Sequence, residues 1–212
     1  MSYYRFIDKG KGPTKLFVGG IHGSEGETTI NFFKSISYSD FSNGKTFIYN
    51  FDTTPYISTL KKEYFESKIG KYIITLIKKH KPDFYTELHC YNIKNYKKLI
   101  SKNRRESQGV PPLIELENHV LISSVSPLIR MKYFEMSTIC KTLEIPCFNK
   151  NKEGERLFEN QEFNTYLNVL KLIAKSNDRK TFEEKMIAIY PGQVKLAIKY
   201  SNEIFGENFP PF

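Results

Sequence analysis

The chain has 212 residues and carries a formal net charge of +9 at pH 7. Hydrophobic residues make up 40% of it and aromatic residues 15%, which excludes an intrinsically disordered protein. This length suits one sizeable hydrophobic core, so we expect a single domain over residues 1–212. No apolar run approaches the roughly 20 residues that span a bilayer, so we expect no membrane-spanning helix and no membrane partner.

The first residues and the cysteines both indicate the cytoplasm. The N-terminus lacks the basic and apolar regions of a secretory signal. Cys90, Cys140 and Cys147 form neither an even set nor a C-x-x-C pair, so we expect three buried thiols. A cytoplasmic protein is therefore predicted.

The positive charge raises the question of a nucleic-acid partner. Phosphate-binding proteins cluster their lysines and arginines, whereas here the lysines are spread over most of the chain. The densest basic run lies between Lys97 and Arg105. We therefore expect a solvated basic surface rather than a nucleic-acid interface.

Hydrophobic periodicity predicts strands that alternate with helices. In the first half of the chain, strands are expected at 3–7 and 14–19, a helix at 26–36, a strand at 45–51, a helix at 55–79 and a strand at 83–90. In the second half, strands are expected at 113–116, 120–125 and 141–147, and helices at 127–136, 166–174, 182–189 and 194–204. The first two strands are expected to pair across the turn at 9–13.

This order of elements predicts an α/β fold. Strands joined by helices of this length form right-handed crossovers, which give a mixed, largely parallel central sheet with helices on both faces. Alternation along the strand at 83–90 puts Glu87 and His89 on one face and Cys90 on the other.

Two strand ends in this pattern carry side chains that bind metals. Gly19-Gly20-Ile21-His22-Gly23-Ser24-Glu25 follows the second strand, and Glu87-Leu88-His89 ends the strand at 83–90. Ligands of open α/β sheets gather at the carboxyl ends of the strands, so we expect His22, Glu25 and His89 to meet. Two imidazoles and one carboxylate form the ligand set of catalytic zinc, with a fourth position left for water.

At these residues the chain resembles the zinc carboxypeptidase superfamily, and more closely its succinylglutamate desuccinylase and aspartoacylase branch. That branch carries a Gly-Gly-x-His-Gly-x-Glu loop and a later Asp-Leu-His strand end, where this chain has Glu87 in place of the Asp. The chain also resembles small archaeal proteins related to that superfamily. The resemblance implies a zinc carboxypeptidase-like fold, a Zn²⁺ cofactor and hydrolysis of an amide or peptide bond in a small-molecule or peptide substrate.

The resemblance also implies a catalytic glutamate in a Thr-x-Glu context on a later strand. Thr142-Leu143-Glu144 fits this pattern, and Glu144 would take a proton from zinc-bound water and pass it to the leaving amine. Glu115 and Glu117, which alternate onto one face of a strand, are the alternatives for this role.

One feature departs from the family. Its members fix the substrate carboxylate with an Asn-Arg pair between the second and third ligands, but no arginine lies between Glu25 and His89. Asn50 and Asp52 occupy that stretch without an arginine. The substrate-binding residues are therefore left open, and the candidate cations after the third ligand are Arg104, Arg105 and Arg130.

Two other functions remain open at this point. A relative that has lost catalysis would bind a metal or a small ligand without turnover. A basic RNA-binding accessory protein would use the segment between Lys97 and Arg105. A single histidine in a strand is more often packed in the core than bound to a metal. For His89, the additional motif that contains His22 favours a metal site over packing.

Overall fold

A computed structural model of the chain describes residues 3–150, 156–157 and 160–207. The strands are β1 (Tyr3–Asp8), β2 (Thr14–Gly19), β3 (Lys45–Asn50), β4 (Phe84–Tyr91), β5 (Ile114–Glu115), β6 (Leu121–Ser123), β7 (Ile139–Pro146), β8 (Asn149–Lys150) and β9 (Arg156–Leu157). The α-helices are α1 (Gly26–Ser35), α2 (Lys62–Glu66), α3 (Lys68–His80), α4 (Tyr96–Leu99), α5 (Arg104–Gln108), α6 (Pro127–Tyr133), α7 (Asn160–Lys175), α8 (Arg179–Ile189) and α9 (Pro191–Phe205).

The fold is α/β, as the sequence predicts, and is built on a seven-stranded mixed sheet in the order β1-β3-β2-β4-β7-β6-β5. The four central strands, β3, β2, β4 and β7, pair in parallel. The outer strands β1, β6 and β5 pair antiparallel to their neighbours. The sheet is therefore parallel at its centre and antiparallel toward both edges. The strands β8 and β9 form a separate two-stranded antiparallel sheet.

Apolar helix faces cover both sides of this sheet. On one side Phe32 of α1, Tyr166 of α7 and Phe182 of α8 pack in one buried cluster. On the other side Ile73 of α3 and Ile129 of α6 belong to a second cluster. Central strands buried on both faces are expected where crossover helices cover a parallel sheet, and every residue of β4 is buried.

The expected pairing of the first two strands is wrong. The strand β1 pairs antiparallel with β3, from Tyr3 opposite Asn50 to Asp8 opposite Lys45. Both edges of β2 are taken by the parallel strands β3 and β4, so the outer edge of β3 receives β1.

The long helix expected at 55–79 is also wrong in part. Helical structure begins at Lys62 and is divided into α2 and α3. The hydroxyl of Ser67 accepts a hydrogen bond from the backbone N–H of Gly70 and so caps the start of α3. Most of the apolar residues at helical spacing belong to α3, where Ile69, Ile73 and Leu76 lie in the core.

Two of the three cysteines differ from the expectation. Cys90, near the end of β4, and Cys147, just after β7, form a disulfide, while Cys140 is a buried free thiol as expected. The two strands are parallel neighbours, so residues at their carboxyl ends come close together, and the backbone N–H of Cys147 also donates to the carbonyl of Tyr91. The disulfide joins residues 57 apart in the sequence.

Among the described residues, no helix is both long and apolar enough to cross a bilayer.

We expect reduction of the Cys90–Cys147 disulfide to lower the free energy of unfolding by about 2–4 kcal/mol, because the bond restricts a long loop of the unfolded chain. Urea unfolding with and without dithiothreitol measures the difference. The control is Cys147→Ser, whose stability should not respond to the reductant. Alkylation of the unfolded, unreduced protein should find only Cys140 reactive. Reaction of all three cysteines without reductant would contradict the disulfide.

Candidate functional site

Three side chains from two segments meet at one point, at the carboxyl ends of central strands. His22 and Glu25 lie in the connection between β2 and α1, and His89 lies near the end of β4. The strands β2 and β4 are parallel neighbours, with Gly19 opposite Leu88, so the segment after β2 begins beside His89. His22 Nδ1 lies 3.0 Å from Glu25 Oε1, and His89 Nδ1 lies 3.0 Å from Glu25 Oε2.

The glycines of this loop allow a close approach of backbone to backbone. Gly20 has a φ of +66°, which favours glycine. A Cβ at Gly20 would lie 2.0 Å from the carbonyl oxygen of Phe51, and one at Gly26 would lie 1.7 Å from the same atom. Any side chain at these two positions would therefore displace the loop that carries His22 and Glu25.

Hydrogen bonds from the next connection hold the loop in place. The buried hydroxyl of Tyr64 donates to the carbonyl of Ile21 at 3.1 Å. The backbone N–H of Thr54 donates to the carbonyl of Gly23 at 2.9 Å, and its hydroxyl donates to the carbonyl of Gly20 at 3.3 Å. The residue on each side of His22 is thus fixed by a partner outside the loop.

The carboxylate of Glu25 and the imidazole of His89 shift each other's pKa. Burial raises the pKa of Glu25, but the charge and hydrogen bond of His89 and the charge of His22 outweigh it and lower that pKa below its ordinary value. Burial lowers the pKa of His89, but Glu25 and, more weakly, Glu87 outweigh burial and hold it well above its ordinary value. Without a metal, His89 and Glu25 therefore form a buried ion pair.

A second carboxylate lies behind His89. Glu87 Oε2 lies 3.4 Å from His89 Nε2, on the side of the ring away from Glu25. The hydroxyl of Tyr85 donates a hydrogen bond to Glu87 Oε1 at 2.9 Å, and the hydroxyl of Thr142 donates one to Glu87 Oε2 at 3.3 Å. A carboxylate on the second nitrogen of a ligand histidine fixes the orientation of its ring. The sequence motif alone does not assign Glu87 this role, and the signal for it is the strand face that Glu87 shares with His89.

The three residues fit a metal ion. Their candidate ligand atoms all lie within 4.8 Å of one another. Ligand atoms of a tetrahedral zinc ion with bonds of about 2.0 Å lie about 3.3 Å apart, close to the two 3.0 Å separations from Glu25. His22 Nδ1 is buried and has no hydrogen-bond partner among the described residues, because its contact with Glu25 lacks hydrogen-bond geometry. A cation between these atoms would satisfy it.

Glu144 lines the same cleft as the three clustered residues. It lies on β7, directly opposite His89 in the parallel pairing of β4 with β7. Burial raises the pKa of Glu144 to about 7, and the charge of Glu25 acts in the same direction, while His89 and His22 oppose it. A carboxylate with this pKa exchanges protons readily near neutral pH.

The two alternative glutamates lie elsewhere. Glu115 accepts hydrogen bonds from the hydroxyl of Tyr96 and from the backbone N–H of His119. Glu117 is exposed. Neither residue lines the cleft that contains the histidines.

The candidate cations also differ in their surroundings. Arg105 is exposed and forms an ion pair with Glu203 at 2.8 Å. Arg130 is only 1% exposed. It donates to the backbone carbonyls of Glu135, Met136 and Thr138. Arg104 is the third candidate, and both Arg104 and Arg130 line the cleft.

The two polar residues considered between the second and third candidate ligands, Asn50 and Asp52, do not line the cleft. Asn50 is buried and holds the loop, because it donates to the carbonyl of Gly26 and accepts from the hydroxyl of Thr29. Asp52 is exposed and does not line the cleft. Asn50, the last residue of β3, therefore has a structural role in holding the glycine loop.

The cleft has a volume of about 620 Å³. One side is formed by the glycine loop and by residues 56–60, where Tyr56 is 84% exposed and its ring lies 5.5 Å from that of His22. Another part of the wall comes from residues 92–114, which carry α4 and α5. The site thus has room for a ligand much larger than a water molecule.

We expect Glu25→Gln to lower the pKa of His89 in the chelator-treated protein, because the amide removes the charge that outweighs burial. NMR titration of the four histidine rings measures this pKa. The matched control is Glu27→Gln, which removes an exposed carboxylate two residues further along the chain. An unchanged His89 titration in Glu25→Gln would contradict the ion pair.

Residues 10–206 match a family described as "Uncharacterized protein conserved in archaea (DUF2119)". The chain is 40% identical over 203 residues to "Uncharacterized protein MJ0501" of Methanocaldococcus jannaschii, a match that covers 93% of this chain and 94% of that protein. The comparison with solved structures gives no match. The expected similarity to small archaeal proteins is thus confirmed. Since the family match covers nearly the whole chain, the protein belongs to the DUF2119 family, which is conserved in archaea.

Proposed function

We propose that this chain is a zinc-dependent hydrolase that cleaves an amide or peptide bond, of the deacylase or carboxypeptidase type, in a small-molecule or peptide substrate. The observation that carries this proposal is the convergence of His22, Glu25 and His89 on one point. The resemblance of their two motifs to the zinc carboxypeptidase superfamily supports the choice of zinc and a fold of that type.

The ligand set favours zinc over harder cations. Two imidazoles and one carboxylate are typical of catalytic zinc sites, which leave the fourth position open, whereas Mg²⁺ and Ca²⁺ favour oxygen ligands. The buried Nδ1 of His22, which has no hydrogen-bond partner among the described residues, supports a cation at this position. When bound, zinc supplies a Lewis acid that polarises a scissile carbonyl and lowers the pKa of water to about 7.

Glu144 is the proposed general base. It lines the cleft with the three ligands, and burial raises its pKa to about 7. Beside a bound cation its ionised form is stabilised, so that Glu144 accepts a proton from the attacking water. The same carboxyl group then donates the proton to the nitrogen of the leaving amine.

Glu87 is a positioning residue in this account. Its carboxylate, held by Tyr85 and Thr142, faces the Nε2 of His89 and leaves Nδ1 directed toward Glu25. This arrangement keeps the imidazole in one orientation. Tyr85 and Glu87 therefore support His89 from outside the cleft, whereas Thr142 also lines it.

The zinc proposal predicts a defined stoichiometry. After loading and removal of excess metal, the protein should hold about one zinc ion per chain, measured by mass spectrometry of the metal. His22→Ala and His89→Ala should each lower the affinity by more than about 100-fold, since loss of an outer-shell group alone costs up to about 100-fold. Competition with a coloured chelator measures this loss.

The control for these variants is His119→Asn, because His119 is exposed and asparagine tolerates its positive φ of 59°. It should bind zinc like the natural chain. Equal zinc binding by His22→Ala, His89→Ala and the control would exclude the proposed centre.

The proposed base predicts a separation of binding from turnover. Glu144→Gln should retain zinc and lower kcat by about 10²–10⁴-fold, because the amide cannot accept the proton. Assays use a panel of N-acyl amino acids and short peptides, with Glu115→Gln as the control outside the cleft. Full activity of Glu144→Gln would refute the role of Glu144. Zinc binding without turnover of any panel member would favour a metal-binding relative that has lost catalysis.

A further inference from the structure

The strand β1 forms an open edge of the sheet. It pairs with β3 on one side and is the outermost strand in the sheet order. It is six residues long, which is an ordinary strand length. The opposite edge is formed by β5, which has two residues. Of the two edges that the structure describes, the β1 edge is therefore the one long enough to pair with a further strand.

The hydrogen bonds of β3 show which residues of β1 direct their backbone groups outward. The N–H groups of Lys45 and Phe51 donate to the carbonyls of Pro13 and Gly19, on the side of β2. Backbone groups alternate between the two sides of a strand, so residues 46, 48 and 50 of β3 bond to β1. Their partners in the register are Ile7, Arg5 and Tyr3.

The remaining residues of β1 therefore point away from the sheet. Tyr4, Phe6 and Asp8 direct their N–H and C=O groups to the outer side, where no strand of the described chain lies. Unpaired backbone groups in a row are a template for pairing with another chain.

The same residues carry an exposed aromatic ladder, formed by the rings of β1 and β3. Tyr4 is 48% exposed and Phe6 is 46% exposed. The ring of Phe6 is stacked on that of Phe47 with 4.8 Å between centroids, and the ring of Tyr4 lies 4.9 Å from that of Tyr49. These separations match the spacing of neighbouring strands, about 4.7–4.9 Å. A further strand would therefore continue the aromatic ladder.

The edge lacks the usual protection against pairing. Edge strands are commonly protected by outward charges, proline or a bulge. The strand β1 contains no proline, and its pairing with β3 is continuous. Arg5 lies on the other face, where it donates to the carbonyl of Ile36, and Lys9 donates to the carbonyl of Phe41. Of the ionic side chains of β1, Asp8 alone lies on the face of the aromatic ladder.

Two antiparallel copies of β1 fit together best in one register. A two-fold axis at Phe6 places Phe6 opposite its own copy and Tyr4 opposite Asp8 of the second copy. All three residues direct backbone groups outward, so each of these pairs exchanges N–H···O bonds. An axis at Arg5 would instead place two arginine side chains opposite each other, which is unfavourable.

We propose that β1 pairs antiparallel with β1 of a second copy around a two-fold axis at Phe6, so that two chains form a dimer with one continuous sheet. The interface is closed, because each copy uses its β1 edge once and the opposite edge has two residues. Residues 3–8 do not line the cleft. Failure of zinc binding or turnover therefore leaves this proposal unaffected.

The first test is the mass of the natural chain in solution. Sedimentation equilibrium is measured at about 0.15 M salt, which screens the repulsion between chains of net charge +9 beyond about 8 Å. With rising concentration the mass should approach twice that of one chain. The mass of a single chain at every concentration up to about 1 mM would overturn the proposal.

Two lysine substitutions test the register. Phe6→Lys places two ammonium groups opposite each other and should raise the dissociation constant at least about tenfold. Tyr4→Lys places an ammonium group opposite Asp8 of the second copy and should preserve the dimer. The control is Ile198→Lys, which adds the same charge at a position of α9 that is 42% exposed. Equal weakening by Phe6→Lys and either of the other two variants would contradict the proposed register.

A mixture of variants separates lost pairing from lost folding. Phe6→Lys and Phe6→Glu should each be monomeric, whereas their equimolar mixture should form a mixed dimer, because opposite charges then face each other. Native mass spectrometry identifies this dimer, and thermal unfolding checks each variant. If a Phe6 variant does not fold, Tyr4→Lys combined with Asp8→Lys gives the readout, since it also opposes two ammonium groups. Folded variants whose mixture stays monomeric would refute the pairing at Phe6.

Discussion

The carboxylate of Glu25 is the constraint on which the site depends. Its two oxygens lie 3.0 Å from Nδ1 of His22 and 3.0 Å from Nδ1 of His89. The carboxylate is buried at the carboxyl ends of the central strands. A buried carboxylate without compensating positive charge would be strongly unfavourable. Protonated His89 supplies that charge in the metal-free protein, and a bound cation would supply it in the proposed enzyme. The same geometry therefore serves both folding and the proposed metal centre.

The cleft combines parts with different tasks. Strand ends of the parallel centre of the sheet carry the proposed ligands and Glu144, whose positions are fixed by β2, β4 and β7. The segment after β4 supplies part of the cleft wall, including Arg104. The Cys90–Cys147 disulfide links the end of β4 to the residue just after β7. In this account the sheet positions the proposed catalytic residues, and the segment after β4 completes the wall of the cleft.

The sequence alone predicts the α/β class and the residues of the proposed centre, because the motifs coincide with the ends of strongly patterned strands. It does not predict long-range pairing: the position of β1 depends on which edges β2 leaves free. Cys90 and Cys147 lie at the ends of two predicted strands. Their disulfide can be predicted only when those strands are known to be neighbours. Arg104 could not be separated from the other arginines, since its burial depends on the folding of the cleft wall.

The most direct test of the account is a crystal structure of the zinc-loaded chain with diffraction data collected on both sides of the zinc absorption edge. The account predicts one anomalous peak about 2.0 Å from a nitrogen of His22, a nitrogen of His89 and an oxygen of Glu25. A peak at other residues, or its absence from this cluster in crystals that contain zinc, would contradict the central claim.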